Sequence, residues 1–273
     1  MAFPVTMHDV RRSVRELELN DTVLCVHSSL RSFGRVEGGA DTIIDALLGH
    51  GCTVMVPTFS WDTHLVTPPL GMRPERNGWD YAHAPQAPGR PDRIYSPDSN
   101  VIDKGMGLLP RTLLGRADRE RGDHPLSSFA AVGPRARRLV GGQRPLDVYA
   151  PLRTIASLDG IVVLMGVGLD RMTLLHLAER RAGRVIFRRW ASDQNGRAAM
   201  VEGGGCSEGF GNLEPHIHSL QRRTAVGGSS WRAFPARSTL NVAAHAIRRN
   251  PRITHCGEEC ARCDDAVAGG PIL

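Results

Sequence analysis

Three consecutive stretches limit what this chain can fold into. T-V-L-C-V-H-S-S-L, in the 23–31 region, is a short apolar run that ends in polar residues. G-G-A-D-T-I-I-D-A-L-L follows, with Ile43, Ile44, Ala46, Leu47 and Leu48 on one helical face and Gly39 or Asp41 placed to cap it. G-C-T-V-M-V-P-T-F-S-W then supplies a second apolar strand over 52–59. Strand, helix and strand at this spacing form a βαβ unit, which calls for parallel pairing with helices on the sheet faces. The expectation is an α/β fold in one domain over 1–273, with a central mixed, mostly parallel sheet flanked by helices.

The rest of the chain extends this pattern. A helix is expected over 8–18, a short one in G-L-L-P-R-T-L-L-G-R, and a strand, turn and helix in F-A-A-V-G-P-R-A-R-R-L-V. D-G-I-V-V-L-M-G-V-G gives a third strand over 160–168, followed directly by a helix over 171–182 and a later one around 238–249. Strands fall within 185–201, and 203–215 is a glycine-rich loop. Residues 61–103 are rich in Pro, Gly, Asp and Arg without periodicity, and read as one long irregular loop of the kind that is functional or disordered.

Charge and composition exclude several classes of function. The net charge is +6, and Lys104 is the only lysine, so the positive charge is almost all arginine. Arginine's planar fork suits phosphate. The arginines are scattered, however, and aromatics make up only 5% of the chain, which argues against a nucleic-acid stacking surface. No apolar run approaches the roughly 20 residues of a membrane span. The start, M-A-F-P-V-T-M-H-D-V, lacks the pattern of a secretory signal, so the cytoplasm is the expected location.

Polar residues at the ends of buried strands are the candidates for chemistry, because the C-terminal strand ends line the ligand crevice of an open α/β sheet. His27, Ser28, Ser29, Leu30, Arg31, Ser32, Phe33 and Gly34 follow the first strand and can present backbone N–H groups to phosphate or carbonyl oxygen. There is no G-K-[ST], so this is not a P-loop. Pro57 to Asp62 follow the second strand, and Gly166 to Thr173 follow the third, with Asp170 or Thr173 as a helix cap. His124, held extended before Pro125, is either a base or a structural hydrogen-bond partner, and the structural role is favoured. In T-L-L-H-L-A-E-R-R, His176 and Glu179 share a helical face. They can orient each other, bind a metal, or lie on a helix surface; H-E-x-x-H is absent.

Six cysteines are present. Cys25 and Cys52 lie in apolar runs and read as buried thiols. Cys256, Cys260 and Cys263 form C-x3-C-x2-C after His255, a spacing that can begin a zinc site. No second CxxC pairs with it, so no metal is assigned and a loosely packed tail is the competing reading.

Taken together, V-H-S-S-L-R-S-F-G-R-V-E-G-G-A-D-T-I-I-D-A-L, V-P-T-F-S-W, M-G-L-L-P, H-P-L-S-S-F-A-A-V-G and L-M-G-V-G-L-D-R-M-T-L-L-H-L-A-E resemble the aminoglycoside 3-N-acetyltransferase family, the antibiotic N-acetyltransferases. The resemblance runs in order from about residue 22 to 265. It implies a fold distinct from the GNAT acetyltransferases, acetyl-CoA as donor, and the 3-amino group of a 2-deoxystreptamine aminoglycoside as acceptor. Another amine-bearing metabolite is the alternative acceptor, and a homodimer is one assembly open to the chain. Departures at Arg111, at Arg121-Gly122-Asp123-His124-Pro125 and in the 205–212 loop leave the acceptor open.

An acceptor amine is protonated near neutral pH, so a base must take its proton as the nitrogen attacks the thioester. His176 is the expected base. The resemblance implies Glu208 as its orienting carboxylate, with Glu179 the local rival. The 28–34 turn is expected to hold the cofactor and the oxyanion, with Ser96, Ser99 and Ser128 as further candidates. Asp62, Asp147 and Asp170 are expected to meet the cationic acceptor. Cys206, in the glycine-rich loop, needs no acyl-carrying role.

Overall fold

A computed structural model describes residues 3–83, 89 and 91–273. Ten strands are present among them: β1 Val23–Ser28, β2 Thr53–Pro57, β3 Leu65–Val66, β4 Glu120–Arg121, β5 Phe129–Val132, β6 Ile161–Met165, β7 Phe187–Ser192, β8 Ala198–Gly203, β9 Arg222–Val226 and β10 Ser229–Pro235. Seven form the main sheet in the order β4-β5-β2-β1-β6-β10-β9, and β3-β7-β8 form a small second sheet. At the centre, β1 runs parallel to both β2 and β6, in register Cys25↔Met55 and Cys25↔Val162. The flanking pairs are antiparallel, β2 with β5 on one side and β6 with β10 on the other. The sheet is therefore mixed, with a parallel core.

Strand β1 shows why the sheet must be covered twice. Successive side chains point to opposite faces. Val23 and Cys25 enter one core, while Leu24 and Val26 enter the other. The second core is closed by α1 Met7–Glu16, α2 Gly39–Leu48 and, later in the chain, the Leu108–Leu114 helix. A four-residue helix, α3 Trp61–His64, precedes that one, which is therefore α4. The first core is closed by α5 Ala136–Val140, α6 Ala150–Ser157, α7 Leu174–Arg181 and α9 Ala236–Arg249, with α8 Glu214–Ile217 between the last two. A final helix, α10, spans Ala261–Val267.

Local chemistry sets the ends of these elements. Thr6 and Asp9 form a reciprocal capping box at α1, with the Thr6 N–H donating to Asp9 Oδ2 at 3.0 Å. Helix α2 begins after Gly38, in the left-handed region at φ 69°, rather than on an Asp41 cap. Thr173 precedes α7 without a side-chain capping bond. The 61–103 stretch is not wholly irregular: it supplies α3 and β3, and Asp103 fixes its start by accepting the Trp61 N–H (2.9 Å) and the Asp62 N–H (3.0 Å). The β9–β10 hairpin, joined at Gly227 and Gly228, adds two strands beyond those expected from the sequence.

Candidate active site

The C-terminal ends of β1, β2 and β6 open on a cavity of about 1050 Å³. Its walls come from the turn after β1, the Pro57–Trp61 strand exit, the turn after β6, helix α7 and the glycine-rich loop. This is the crevice an open α/β sheet offers at its strand ends. Two glycines permit the close approach. Gly166, at φ 68°, sits where a Cβ would fall 1.9 Å from Ser32 Oγ, and Gly204 lets the chain pass beside His176 and Tyr149.

His176 lines this cavity from α7. Its Nδ1 lies 2.8 Å from Glu179 Oε2, and both side chains are nearly buried. A carboxylate only accepts, so Nδ1 carries the proton and Nε2 is the nitrogen with a free lone pair. Glu179 is itself fixed: Arg184 pairs with its Oε1, and Thr254 donates to Oε1 at 3.2 Å. Arg184 also donates to Thr254 Oγ1 at 2.7 Å and to the Pro251 carbonyl. The ring of Tyr149 is stacked nearly parallel to the imidazole (5°, centroids 6.2 Å apart), and Phe210 meets it edge-on at 4.7 Å. The histidine is thereby held in one orientation and one tautomer.

The structure changes the expected pairing. Glu179 is bonded to His176, whereas Glu208 is exposed at the first residue of a 3₁₀ turn, Glu208–Leu213. The turn places Glu208 outward, while the i, i+3 spacing on α7 brings Glu179 inward.

The turn after β1 reaches the cavity through His27, Ser28, Ser29, Leu30, Arg31 and Gly34. Ser32 and Phe33 do not line it: Ser32 Oγ donates to the Ser29 carbonyl at 2.7 Å, and Phe33 is buried against Trp231. Ser128 is fully buried, within 2.8 Å of the Thr58 carbonyl and 3.1 Å of Arg121 Nε, and cannot reach a ligand. Ser96 and Ser99 also lie away from the lining, where Ser96 Oγ accepts the Asp98 N–H. Burial drives the His27 pKa down to about 4, so this wall residue is neutral near pH 7.

The expected acidic cluster does not form. Asp170 lines the cavity but is paired with Arg171 at 3.0 Å. Asp147 is bound by both terminal guanidinium nitrogens of Arg153, and Asp62 is exposed on α3; neither lines the cavity. The lining carries Arg31, Arg171, Arg189 and Arg262. His124 is structural: fully buried, it accepts the Leu126 and Ser127 N–H groups through Nδ1 at 3.2 and 2.9 Å. Sequence reasoning missed Tyr149, Phe210 and Arg189, all of which line the cavity. They sit far apart in the chain and carry no local signal of a shared wall.

Fold and site define a class: an α/β protein in which a histidine, oriented by a buried carboxylate, opens on a deep crevice at the parallel strand ends. A model of the aminoglycoside 3-N-acetyltransferase family matches residues 25–248. The chain belongs to this family. Among curated relatives, aminoglycoside N(3)-acetyltransferase IV of Salmonella sp. is 30% identical over 245 residues, covering 85% of this chain and 82% of the relative. Aminoglycoside N(3)-acetyltransferase IX of Micromonospora chalcea is 35% identical over 186 residues, covering 66% of this chain but only 63% of that relative. The crystal structure of the aminoglycoside acetyltransferase AAC(3)-IVa superposes with a TM-score of 0.77 at 27% identity, over 98% of this chain and 99% of that one. A histidine-to-alanine mutant of AAC(3)-IVa, solved in complex with a gentamicin, superposes with a TM-score of 0.75 at 26% identity, over 98% of this chain and 99% of that one. No helix among the described residues is long and apolar enough to cross a membrane.

Proposed function

We propose that this protein is a cytoplasmic enzyme that moves the acetyl group of acetyl-CoA to the 3-amino group of a 2-deoxystreptamine aminoglycoside. The observation that carries the reading is the His176–Glu179 pair at the wall of the cavity, in a chain of this family. Once the acceptor ammonium has lost a proton to solvent, His176 Nε2 takes a second proton from the neutral amine as its nitrogen attacks the thioester carbonyl. The carbon–nitrogen bond forms and the carbonyl becomes an oxyanion. Glu179 stabilises the imidazolium that results, because its carboxylate faces the Nδ1–H at 2.8 Å. Collapse breaks the carbon–sulfur bond, and the thiolate leaves with the proton His176 holds, giving the amide and free CoA.

The Leu30–Phe33 turn fits the oxyanion role, since a 3₁₀ turn leaves its opening N–H groups, here Leu30 and Arg31, without intrahelical carbonyls. Arg31 and its fellow arginines on the wall suit the phosphates of CoA. The same wall favours a second reading of the acceptor. Four arginines face the cavity against one carboxylate, itself already paired, so an amine of lower positive charge fits better than a polycation.

The test is thiol release from acetyl-CoA with a panel of 2-deoxystreptamine aminoglycosides and simple amines, using wild type and His176→Gln. Aminoglycoside-dependent release that falls by about 10²–10⁴ in the variant is the expected result. Release undiminished in the variant removes His176 as base. Release with simple amines alone moves the acceptor to the second reading.

A further inference from the structure

We propose that Cys206, Cys256, Cys260 and Cys263 form a structural tetrathiolate zinc site that pins the C-terminal segment to the wall of the cavity. The sequence offers only three cysteines near one another. The fold brings a fourth, Cys206, from the glycine-rich loop some 50 residues earlier. All four sulfurs lie within 4.8 Å of one another, and Cys256 Sγ and Cys263 Sγ are 3.6 Å apart. Tetrahedral zinc with Zn–S near 2.3 Å needs sulfurs about 3.8 Å apart, which this cluster approaches.

The donor set identifies both the ion and its role. Four soft thiolates within 4.8 Å of one another suit zinc, and a shell of four thiolates leaves no position open for water or substrate, as in structural rather than catalytic sites. The spacing of two ligands is already set by a turn, in which the Cys263 N–H donates to the Cys260 carbonyl at 2.9 Å. His255 does not compete, because its Nε2 is bonded to Asp264 Oδ1 at 3.0 Å and its Nδ1 accepts the Gly257 N–H at 3.0 Å.

A second observation points the same way. Helix α10 buries one residue, and that residue is Cys263. A segment with so little apolar surface to bury needs another source of order, and a metal site provides it. The ligands lie beside groups that build the catalytic wall. Gly205 and Ser207 flank Cys206, Arg262 stands between Cys260 and Cys263, and all three line the cavity. Two residues before Cys256, Thr254 donates to Glu179. The zinc therefore holds in place the segment that braces the His176 partner, without entering the chemistry.

Metal content tests this independently of any acetyl transfer. Protein purified in reducing buffer, without chelators or a metal-affinity tag, is expected to carry about one zinc per chain by mass spectrometry. Cobalt exchanged into it is expected to give the intense visible and near-ultraviolet bands of a tetrahedral thiolate site. Cys260→Ser and Cys256→Ser, at half-buried positions, lose the zinc while remaining folded by circular dichroism, and Cys52→Ser keeps it. Stripping the metal increases proteolysis beyond residue 250, and restoring zinc reverses this. Folded, reduced protein that binds neither zinc nor cobalt overturns the proposal, as does zinc retained in Cys256→Ser/Cys260→Ser, iron in place of zinc, or cysteines recovered as disulfides.

Discussion

Replacing Glu179 with glutamine keeps the side-chain volume and removes the charge. Oε1 is held by Arg184 and Thr254, and a guanidinium only donates, so the amide oxygen stays on that side. The amide nitrogen then faces His176 Nδ1. Nδ1 must accept, and the imidazole proton moves to Nε2, the tautomer that cannot take a proton from the acceptor. Rotating the ring to exchange the nitrogens is opposed by Tyr149 on its face and Phe210 at its edge, with centroids at 6.2 and 4.7 Å. Loss of the charge-assisted bond alone costs about 1.5–3 kcal/mol, or about 10–150-fold in rate. The wrong tautomer pushes the loss toward the roughly 10⁴-fold seen for the same carboxylate-to-amide exchange in serine proteases. Steady-state thiol release is expected to show kcat lower by about 10²–10⁴, with the KM for acetyl-CoA unchanged. A kcat within about threefold of wild type, less than 1 kcal/mol, would refute the orienting role of Glu179.

Other consequences can be tested directly. His27 and His124 are both pushed down to about 4, chiefly by burial, so the unfolded chain takes up protons below about pH 6.5 that the folded chain refuses. Their contribution is complete above pH 6.5 and lost as pH falls toward 4, at about 3 kcal/mol per histidine; the urea midpoint should drop between pH 7 and 5, and His124→Asn, which keeps an acceptor without the titration, should flatten the slope. Arg121 donates to the carbonyls of Ser99 (2.7 Å), Thr58 (2.9 Å) and Val101 (2.9 Å) and to Ser128 Oγ (3.1 Å). Arg121→Ala removes these four hydrogen bonds, two of them at the buried Thr58 and Ser128, and should cost about 3 kcal/mol in urea unfolding, with Arg121→Lys, which lacks the planar fork, recovering little. A Cβ at Gly209 would lie 2.3 Å from the Thr254 carbonyl and 2.5 Å from that of His255, both backbone atoms. Gly209→Ala should therefore destabilise the fold by about 1–3 kcal/mol in urea unfolding and loosen the segment that braces Glu179; a stability equal to wild type would contradict the contact.

Much of the framework was legible in the chain because it rests on local rules. A strand buried on both faces must be apolar almost throughout, and the runs around Val23, Val54 and Val162 are. The i, i+3 spacing of His176 and Glu179 on α7 is likewise a one-helix property, so the pair could be read before its bond was seen. The β9–β10 hairpin was not legible: β9 is a half-exposed edge strand with two arginines, and β10, though buried between β6 and β9, breaks its apolar run with two serines and Arg232.

What only the tertiary structure decided depends on residues distant in sequence. Glu179 and Glu208 are equivalent candidates by type; the inward face of α7 and the outward 3₁₀ turn separate them. Asp62, Asp147 and Asp170 look like one acidic lining until their partners and exposures are known, since an aspartate bound to Arg153 or Arg171 has its charge already matched. Cys206 gained its meaning only from chain folding that set it beside Cys256, Cys260 and Cys263. The sequence by itself determined which segments must be buried, because burial follows from local apolarity. The tertiary structure decided which polar groups face one another, because that follows from where distant segments meet.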